Sequence, residues 1–363
     1  MSALTIAHLL SSFGLGGQER VALDLARGQA RRGHRVLAIG LAPGPLLEEF
    51  RAVGAAAQLV EKAPRLDPTV VLRLAWALRR EGVDVLHTHN PQPLAYGAVA
   101  ARLARAALVH TKHGANPDRG RRLWLRRAGG HLADAYVAVS DATARVAREN
   151  AECPEARLRT IPNGIDLTAF GPDPSARRAA RAELGVPAEA TVVGTVGRVS
   201  PEKDHALLVR AMGPLLGPGV RLVIVGDGAE LPNVRALAAR SPFVVLTGAR
   251  RDVPRLLAAM DLFALSSRTE GLPLGLVEAM ATALPIVATA VGGVPEVLGG
   301  AGRLVDRGDE RALRDAIAAL LEDGVAAREL GERARVRARA FDAEAMVDAY
   351  LALYREVARP RAR

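Results

Sequence analysis

The chain has 363 residues, 49% of them hydrophobic, which is enough for two domains of ordinary size, each with its own core. Its single cysteine, Cys153, excludes an internal disulfide and a thiol-ligated metal cluster, and it suits a reducing cytoplasm. The net charge is +10, and residues 1–170 carry +8 of it, which favours an anionic partner for the first half of the chain.

The first apolar segment, LTIAHLL, follows no positively charged region and leads into a glycine-rich loop, so it is not expected to be a secretory signal. The uncharged run 279–295 is interrupted by Pro285 and a glycine pair and is short for a bilayer span. We therefore expect a cytoplasmic protein, soluble or peripheral at the inner membrane face.

Short β-branched or apolar runs alternate with amphipathic segments along the whole chain. In the first half these strand-like runs are LTIAHLL, RVLAIGL, VDVLHTH, ALVHTK, AYVAVS and LRTIP. In the second half they are TVVGTVG, RLVIVGDG, FVVLTG, DLFALSS and PIVATA. Strands that alternate with helices predict parallel sheets covered on both faces.

The strand series is interrupted by PNGIDLTAFGPDPSARR, where Pro and Gly cluster and periodicity is lost, which predicts an interdomain linker. After Val305 the pattern is helical and ends in a predicted helix from Ala343 to Val357. We predict an α/β fold with two Rossmann-like domains, residues 1–166 and 167–342. Residues 343–363 are expected to form a helix that packs back on the first domain.

Ligands of open parallel sheets bind beyond the carboxyl ends of the strands, so the loops at those ends are where ligand-binding residues are expected. The first, SSFGLGGQER, has glycines that free backbone N–H groups at a helix start. A dinucleotide fingerprint would need a glycine at Glu19 and an acidic residue near Leu41, and neither is present. This argues against a Rossmann oxidoreductase and leaves a binding loop and a merely tight turn as alternatives.

Two further loops follow strands of the second half. GRVSPEKD places the planar guanidinium of Arg198 and the ammonium of Lys203 where they suit the two phosphates of a nucleotide. VGDG, which ends the next strand, is a turn signal first and a ligand loop second.

Two glutamates, Glu270 and Glu278, are separated by seven residues in EGLPLGLVE. The preceding DLFALSS predicts a strand, and Pro273 to Ala283 predicts a helix with its proline near the first turn. Glu270 is then in the strand-to-helix loop, and Glu278 is about 10 Å along the helix on a similar side. This spacing suits hydroxyls at two ends of a sugar nucleotide, with its diphosphate at the helix N-terminus.

Histidines cluster in VLHTHN and VHTKHG. Strand alternation predicts that His87 and His89 share one side of the sheet and that His113 lies at a strand end. A zinc site is the alternative to a set of polar residues at strand ends. No HExxH, no carboxylate at ligand spacing and no cysteine pair accompanies these histidines, so we expect no metal.

The motifs occur in one order along nearly the whole chain, and in that order the sequence resembles the retaining glycosyltransferases of family four, which have the GT-B fold. The motifs are GLGGQER, TKHG, IPNGID, GRVSPEKD, VGDG and EGLPLGLVEAMA, the last with the E-x7-E spacing. The resemblance implies two domains facing a cleft in which a sugar passes from a nucleotide sugar to an acceptor with retained configuration. It implies a UDP- or GDP-linked donor as substrate and no further cofactor.

Residue by residue, the resemblance implies that Glu270 contacts hydroxyls of the donor sugar and that Glu278 holds the ribose. Arg198 and Lys203 match the diphosphate-binding pair, and His113 matches a first-domain histidine that approaches the donor sugar. Further donor-binding positions are Gly16, Gly17, Gly197, Gly226, Gly271, Leu272, Leu274 and Gly275.

Many members have Phe-Gly after the first glutamate, where this chain has Gly271-Leu272-Pro273. Because proline lacks an N–H, the amides of Leu274 and Gly275 are expected to contact phosphate. No Asp-x-Asp is present, so leaving-group charge is expected to be stabilised without a metal, by Arg198, Lys203 and helix amides.

The expected acceptor is a glycan or lipid-linked glycan in cell-surface polysaccharide or glycolipid biosynthesis, and no nucleic-acid partner is expected. Helical spacing in RGRRLWLRR and beyond predicts Arg119, Arg122 and Arg126 on one side and Leu125, Ala128 and Leu132 on another. One interpretation is a helix with buried leucines and solvated arginines. The other is a patch for anionic membranes, formed by Arg119, Arg121, Arg122, Trp124, Arg126 and Arg127.

Two alternatives share the donor site. A nucleotide-sugar epimerase of the same fold would need no acceptor, and a non-catalytic sugar or nucleotide binder would turn nothing over. The intact set Glu270, Glu278, Arg198 and Lys203 favours an enzyme.

Overall fold

The computed structural model describes residues 3–63, 67–115 and 119–358. The chain divides into two compact units. The first runs to Gly164 and resumes at Ala343, and the second is Ile165–Asp342.

The first unit contains one parallel sheet with helices on both faces. Its described strands are β1 (Thr5–Leu10), β2 (Arg35–Gly40), β3 (Ala56–Leu59), β4 (Val85–His89), β5 (Ala107–Lys112), β6 (Ala135–Ala138) and β7 (Leu158–Thr160). Its described helices are α1 (Gly17–Arg31), α2 (Leu47–Ala52), α3 (Thr69–Arg80), α4 (Pro91–Ala104), α5 (Gly120–Leu132) and α6 (Asp141–Glu149), and the chain's last helix, Ala343–Val357, also belongs here.

The second unit repeats this plan. Its strands are β8 (Thr191–Val196), β9 (Val220–Val225), β10 (Val244–Gly248), β11 (Leu262–Leu265), β12 (Ile286–Thr289) and β13 (Arg303–Val305). Its helices are α7 (Pro174–Glu183), α8 (His205–Met212), α9 (Leu231–Ala238), α10 (Val253–Ala258), α11 (Leu274–Ala281), α12 (Val294–Leu298), α13 (Glu310–Glu322) and α14 (Gly324–Ala338), so the last helix of the first unit is α15 (Ala343–Val357).

Both sheets have the doubly wound strand order. The first is β3-β2-β1-β4-β5-β6-β7 and the second is β10-β9-β8-β11-β12-β13, with the strands of each paired in parallel. In each sheet the winding reverses beside the first strand, between β1 and β4 and between β8 and β11. Ligands bind at the carboxyl ends of such strands. The predicted fold class, two Rossmann-like parallel sheets, is confirmed.

The sheets are buried on both faces, as their near-continuous apolar strands require. In β2 the side chains alternate between two core clusters: Val36 and Ala38 pack into one, and Leu37 and Ile39 into the other. The alternation places helices on either side of the strand, which holds the strand ends in fixed positions.

Helix α15 packs against α1 within the first unit. The contact is close because α1 has a glycine there: a Cβ on Gly28 would lie 2.5 Å from Val347 Cγ2. Tyr350 and Tyr354 of α15 are fully buried. The last helix is thus an integral part of the first unit's core.

Two features, strand β3 and the start of helix α7, differ from the predictions. Strand β3, AAQL, is an edge strand of poor β-formers that only its pairing with β2 defines. Helix α7 begins inside the predicted linker, because the Asp173 side chain accepts hydrogen bonds from Ser175 N and Ala176 N and caps it. Among the described helices, none has the length and apolarity needed to cross a membrane.

Candidate functional site

The loops after β8 and β11 meet at the point where the winding of the second sheet reverses. An ion pair joins them: Lys203 Nζ lies 2.6 Å from Glu270 Oε1, and the side chain of Glu270 is only 7% exposed. Ser267 Oγ donates to the same carboxylate oxygen at 2.5 Å. The structure therefore brings together two residues that the sequence separates by 67 positions.

Further hydrogen bonds fasten these two loops to each other. Ser266 Oγ donates to the carbonyl oxygens of Lys203 at 3.1 Å and Asp204 at 2.9 Å, and Arg268 N donates to Glu202 O at 2.7 Å. Asp204 has φ 45°, a conformation that non-glycine residues rarely adopt, and its carboxylate binds Arg268 at 2.7 Å. The Lys203–Glu270 pair thus lies in a pre-organised backbone frame.

The VGDG loop packs against the same frame. Val199 N donates to Asp227 O at 2.9 Å. A Cβ on Gly226 would lie 1.9 Å from Gly197 O, so this close approach of two backbones requires glycine. Arg198, beside this junction, is exposed. Its guanidinium is therefore accessible to an anionic ligand at the carboxyl end of β8.

Helix α11 presents one narrow accessible face. Its half-buried residues are Leu274, Gly275 and Glu278, and all its other residues are buried. The helical bonding begins with Leu276 N and Val277 N, which donate to Pro273 O, so the amides of Leu274 and Gly275 precede it. The predicted phosphate donors and Glu278 therefore share one face.

The neighbours of this face have distinct structural roles. Gly271 and Leu272 are buried. A Cβ on Gly275 would lie 2.7 Å from Val196 O, which brings the start of α11 against the end of β8.

One positioning residue was not predicted. Gly292 has φ 52°, and a Cβ there would lie 1.9 Å from Glu270 O. Any side chain at this position would push against the backbone that carries Glu270. The glycine pair in VGGVP is the sequence signal that could have indicated this contact.

In the first unit the glycine loop starts α1, with Gly16 as the N-cap and Gly17 as the first helical residue. The adjacent end of β4 is linked to it: Asn90 Nδ2 hydrogen-bonds Gln18 Oε1, and Asn90 Oδ1 accepts from His113 N at 3.2 Å. Asn90 has φ 71°, so it is held in a strained conformation. This places His113 near the glycine loop.

The histidines form a hydrogen-bonded string. His87 and His89 lie on one side of the sheet, as the alternation predicts, and His8 of β1, which was not predicted, joins them. Ring nitrogens of these three histidines lie within 4.8 Å of one another, so a metal must be considered.

Hydrogen bonds already occupy all six of those ring nitrogens. Their partners are each other and His113, Gln29, Thr111 and Tyr354. A zinc ion would have to displace several of these bonds, so the donor set fits a hydrogen-bonded string better than a metal site. Burial lowers the pKa of His8 to about 4 and the pKa of His113 to about 3, which keeps both rings neutral.

The predicted faces of the basic helix α5 are wrong. Arg126 is 2% exposed and pairs with Glu152 at 3.1 Å, whereas Ala128 and Leu132 are exposed. The reason is the glycine pair, which forms the packed side of the helix. A Cβ on Gly129 would lie 2.8 Å from Leu94 Cγ, and one on Gly130 would lie 2.0 Å from Glu152 O.

The buried pair is part of a larger polar cluster. Lys112 Nζ donates to both Glu152 carboxylate oxygens at 3.1 Å, and Tyr136 OH donates to Oε2 at 2.5 Å. Arg126 thus has a structural role. The exposed members of the predicted patch are Arg119, Arg121, Arg122, Trp124 and Arg127.

The known proteins and family models that this chain resembles are glycosyltransferases. The sequence model of Glycosyltransferase Family 4 matches residues 15–169, and that of Glycosyl transferases group 1 matches residues 190–323. D-inositol 3-phosphate glycosyltransferase of Kineococcus radiotolerans is 32% identical over 317 residues, covering 77% of this chain and 73% of that protein. The enzyme of the same name from Mycolicibacterium paratuberculosis is 32% identical over 302 residues, covering 76% and 67%.

Among solved structures, Anabaena HepE in complex with UDP and glucose aligns with a TM-score of 0.89 at 25% identity, covering 97% of this chain and all of that one. The ordered sequence motifs resemble those of family-four glycosyltransferases. The sequence relatives, the family models and the shared architecture agree with that resemblance. The chain belongs to glycosyltransferase family 4, and its two units are the Rossmann-like domains of the GT-B fold.

Proposed function

We propose that this chain transfers a sugar from a nucleotide-sugar donor to a glycan or lipid-linked glycan acceptor, with retention of anomeric configuration. The observation that carries the proposal is the Lys203–Glu270 pair, held in a hydrogen-bonded frame beside the accessible face of α11. The cation and the helix amides suit the diphosphate of a sugar nucleotide. The two carboxylates suit hydroxyls of its ribose and of its sugar.

The diphosphate is assigned to Arg198, Lys203 and the amides of Leu274 and Gly275. An ammonium has three donors, so Lys203 can bind Glu270 and phosphate oxygens together. As the bond from sugar to phosphate breaks, negative charge grows on the leaving phosphate, and fixed cations and amides stabilise that charge. Gly197 and Gly226 allow the loops after β8 and β9 to approach each other closely. Gly271 and Leu272 are buried in the loop before α11.

The two carboxylates would hold the ends of the donor. Glu278, which shares the face of α11 with the phosphate amides, is assigned to the ribose hydroxyls, and Glu270 to hydroxyls of the transferred sugar. His113, with Gly16 and Gly17 of the first unit, is assigned to the sugar and phosphate side of the substrates. The leaving phosphate would help to deprotonate the acceptor hydroxyl on the same face, which accounts for retention.

A UDP- or GDP-linked hexose is the proposed donor. HepE, with UDP and glucose bound, supports a uridine nucleotide as the first choice. The relatives named D-inositol 3-phosphate glycosyltransferase make an inositol phosphate the first small acceptor to test. A role in cell-surface polysaccharide or glycolipid biosynthesis would follow if lipid-linked glycans are preferred.

The test is release of nucleoside diphosphate from a panel of UDP- and GDP-sugars, with chelator present, with and without inositol phosphate and glycan acceptors. We expect one donor to dominate, release to depend on an acceptor, and the product to keep the donor's anomeric configuration by NMR. Acceptor-independent conversion of the donor sugar would instead indicate an epimerase. Binding without turnover would indicate a non-catalytic protein.

We also propose peripheral attachment to anionic membranes through the first unit. Helix α3 exposes Leu72 by 66% and Trp76 by 63%, next to Arg73, Arg79 and Arg80. Helix α5 exposes Trp124 by 64%, and α4 packs against both helices. Indole and leucine side chains flanked by arginines suit the interface of an anionic bilayer.

Liposome co-sedimentation tests this attachment. Binding should need anionic lipid and fall with salt, because each basic residue near such a surface contributes about 1 kcal/mol. Arg121→Ser with Arg122→Ser should weaken binding roughly 30-fold. The matched control, Arg311→Ser with Arg335→Ser in the second unit, should leave it unchanged. Equal binding to neutral vesicles would contradict the proposal.

A further inference from the structure

A string of hydrogen bonds runs from α1 through the first sheet to His113. Gln29 Oε1 lies 2.8 Å from His8 Nε2, His8 Nδ1 lies 3.1 Å from His89 Nε2, and His89 Nδ1 lies 3.0 Å from His113 Nε2. Gln29, His8 and His89 are fully buried, so solvent does not compete for these bonds. The outer nitrogen, His113 Nδ1, is buried and has no hydrogen-bond partner among the described residues.

A neutral imidazole has one N–H and one lone pair, so each bond in the string fixes the next. The carbonyl oxygen of Gln29 only accepts, so His8 must carry its proton on Nε2 and accept at Nδ1. His89 then donates from Nε2 and accepts at Nδ1. His113 therefore donates from Nε2 and presents a lone pair at Nδ1.

We propose that Gln29, His8 and His89 are positioning residues that hold His113 in its Nε2–H form, so that His113 Nδ1 accepts a hydrogen bond from a sugar hydroxyl. This rests on the proposed function, which supplies the sugar, and it deepens that function by naming the direction of the contact. His113 then selects a substrate with a hydroxyl at that place and rejects one that can only accept.

The string also excludes His113 as a general base that passes its proton inward. A proton taken at Nδ1 could move along the imidazoles only as far as Gln29, because an amide oxygen is too weak a base to keep it. Burial lowers the pKa of His8, His89 and His113 in the same direction. The string therefore stays neutral at pH 7 and acts through orientation.

A second string lies alongside and offers a control. Tyr354 OH lies 2.6 Å from His87 Nδ1, His87 Nε2 lies 2.7 Å from Thr111 Oγ1, and Thr111 Oγ1 lies 2.8 Å from Tyr350 OH. Thr111 is as deeply buried as His8, and its bonds do not involve His113. Thr111→Val thus removes a buried hydroxyl of equal depth without cutting the first string.

The test is long-range proton–nitrogen NMR of protein labelled with ¹⁵N-histidine, with the His113 signal assigned by its loss in His113→Gln. We expect wild type and Thr111→Val to show His113 with its proton on Nε2 alone. Gln29→Leu, which removes the anchor, should shift His113 toward a mixture of both tautomers. Gln29→Glu, which keeps an acceptor, should restore the wild-type spectrum. A proton on Nδ1 in wild type, or an unchanged spectrum in Gln29→Leu, would overturn the proposal.

A second readout uses donors in which single sugar hydroxyls are replaced by hydrogen or by fluorine. Because C–F cannot donate, both replacements at the position facing His113 should lower kcat/KM to a similar extent, and Gln29→Leu should reduce the penalty. A fluoro donor that retains full activity where the deoxy donor loses it would overturn the acceptor role. Failure of the proposed function would appear differently, as no turnover of any donor while the NMR result stands.

Discussion

Replacing Lys203 with Met is expected to lower kcat/KM for nucleoside diphosphate release on the order of 100- to 1000-fold, comparable to losing one pre-organised donor at a developing charge. Methionine keeps much of the side chain's length but removes the cation that is proposed to bind the leaving phosphate. It also leaves the Glu270 carboxylate, only 7% exposed, without its 2.6 Å partner. Steady-state release with the preferred donor, in chelator, measures the effect.

Two comparisons make this result specific. Glu270→Gln alone should lower kcat more than it raises KM, and combining it with Lys203→Met should give less than the product of the two effects, because the residues are in direct contact. The control Arg210→Met removes an exposed cation that pairs with Glu310 on the surface of the same unit, and it should change the rate less than twofold. Equal losses in Arg210→Met and Lys203→Met would contradict the assignment.

Acidification is expected to destabilise the protein steeply between pH 6.5 and 5. Burial lowers the pKa of His8 and of His205 to about 4 and that of His113 to about 3, below the ordinary value of 6.5. Above pH 6.5 these rings are neutral in both states. As the pH falls, the unfolded chain binds protons that the folded chain cannot, so each should contribute about 2 kcal/mol of destabilisation at pH 5.

His8 and His113 together should remove about 4 kcal/mol from the stability of the first unit, and His205 about 2 kcal/mol from that of the second, each a substantial part of the stability of an ordinary domain. Carboxylates with lowered pKa titrate below this window, so the loss is attributable to histidines. Thermal unfolding between pH 7.5 and 5 measures it. His205→Gln, outside the histidine string, should reduce the slope by about 1.2 kcal/mol per pH unit near pH 5. A melting temperature that stays constant over this range would contradict the prediction.

The fold could be predicted from the alternation of strands and helices. Period-2 and period-3.6 patterns are local, and each element's buried face follows from its own residues. The edge strand β3 was missed since its residues have little β-propensity, and only pairing with β2 defines it. In α5 the leucines suggested the buried face, but glycines that admit close backbone contact decided it. Tertiary packing overrode the local pattern there.

Residues of the candidate site were accessible to sequence reasoning when they stood in loops after strands, as Arg198, Lys203 and Glu270 do. The direct contact between Lys203 and Glu270 could not be predicted from the sequence, because it depends on two loops that meet where the winding of the sheet reverses. The histidine string was found only in part. His8 and Gln29 look like ordinary members of a strand and a helix, and they meet His89 only because β1 pairs with β4 and α1 packs beside them.

We propose that nucleotide binds at the loops following β8, β9 and β11. Amide hydrogen exchange with saturating UDP, and separately GDP, tests it most directly, because backbone N–H groups are the proposed phosphate ligands. We expect slower exchange in residues 197–204 and 226–228 and at Leu274 and Gly275, with little change in α13 and α14. Unchanged exchange in those loops at nucleotide saturation, with protection elsewhere in the chain, would contradict it.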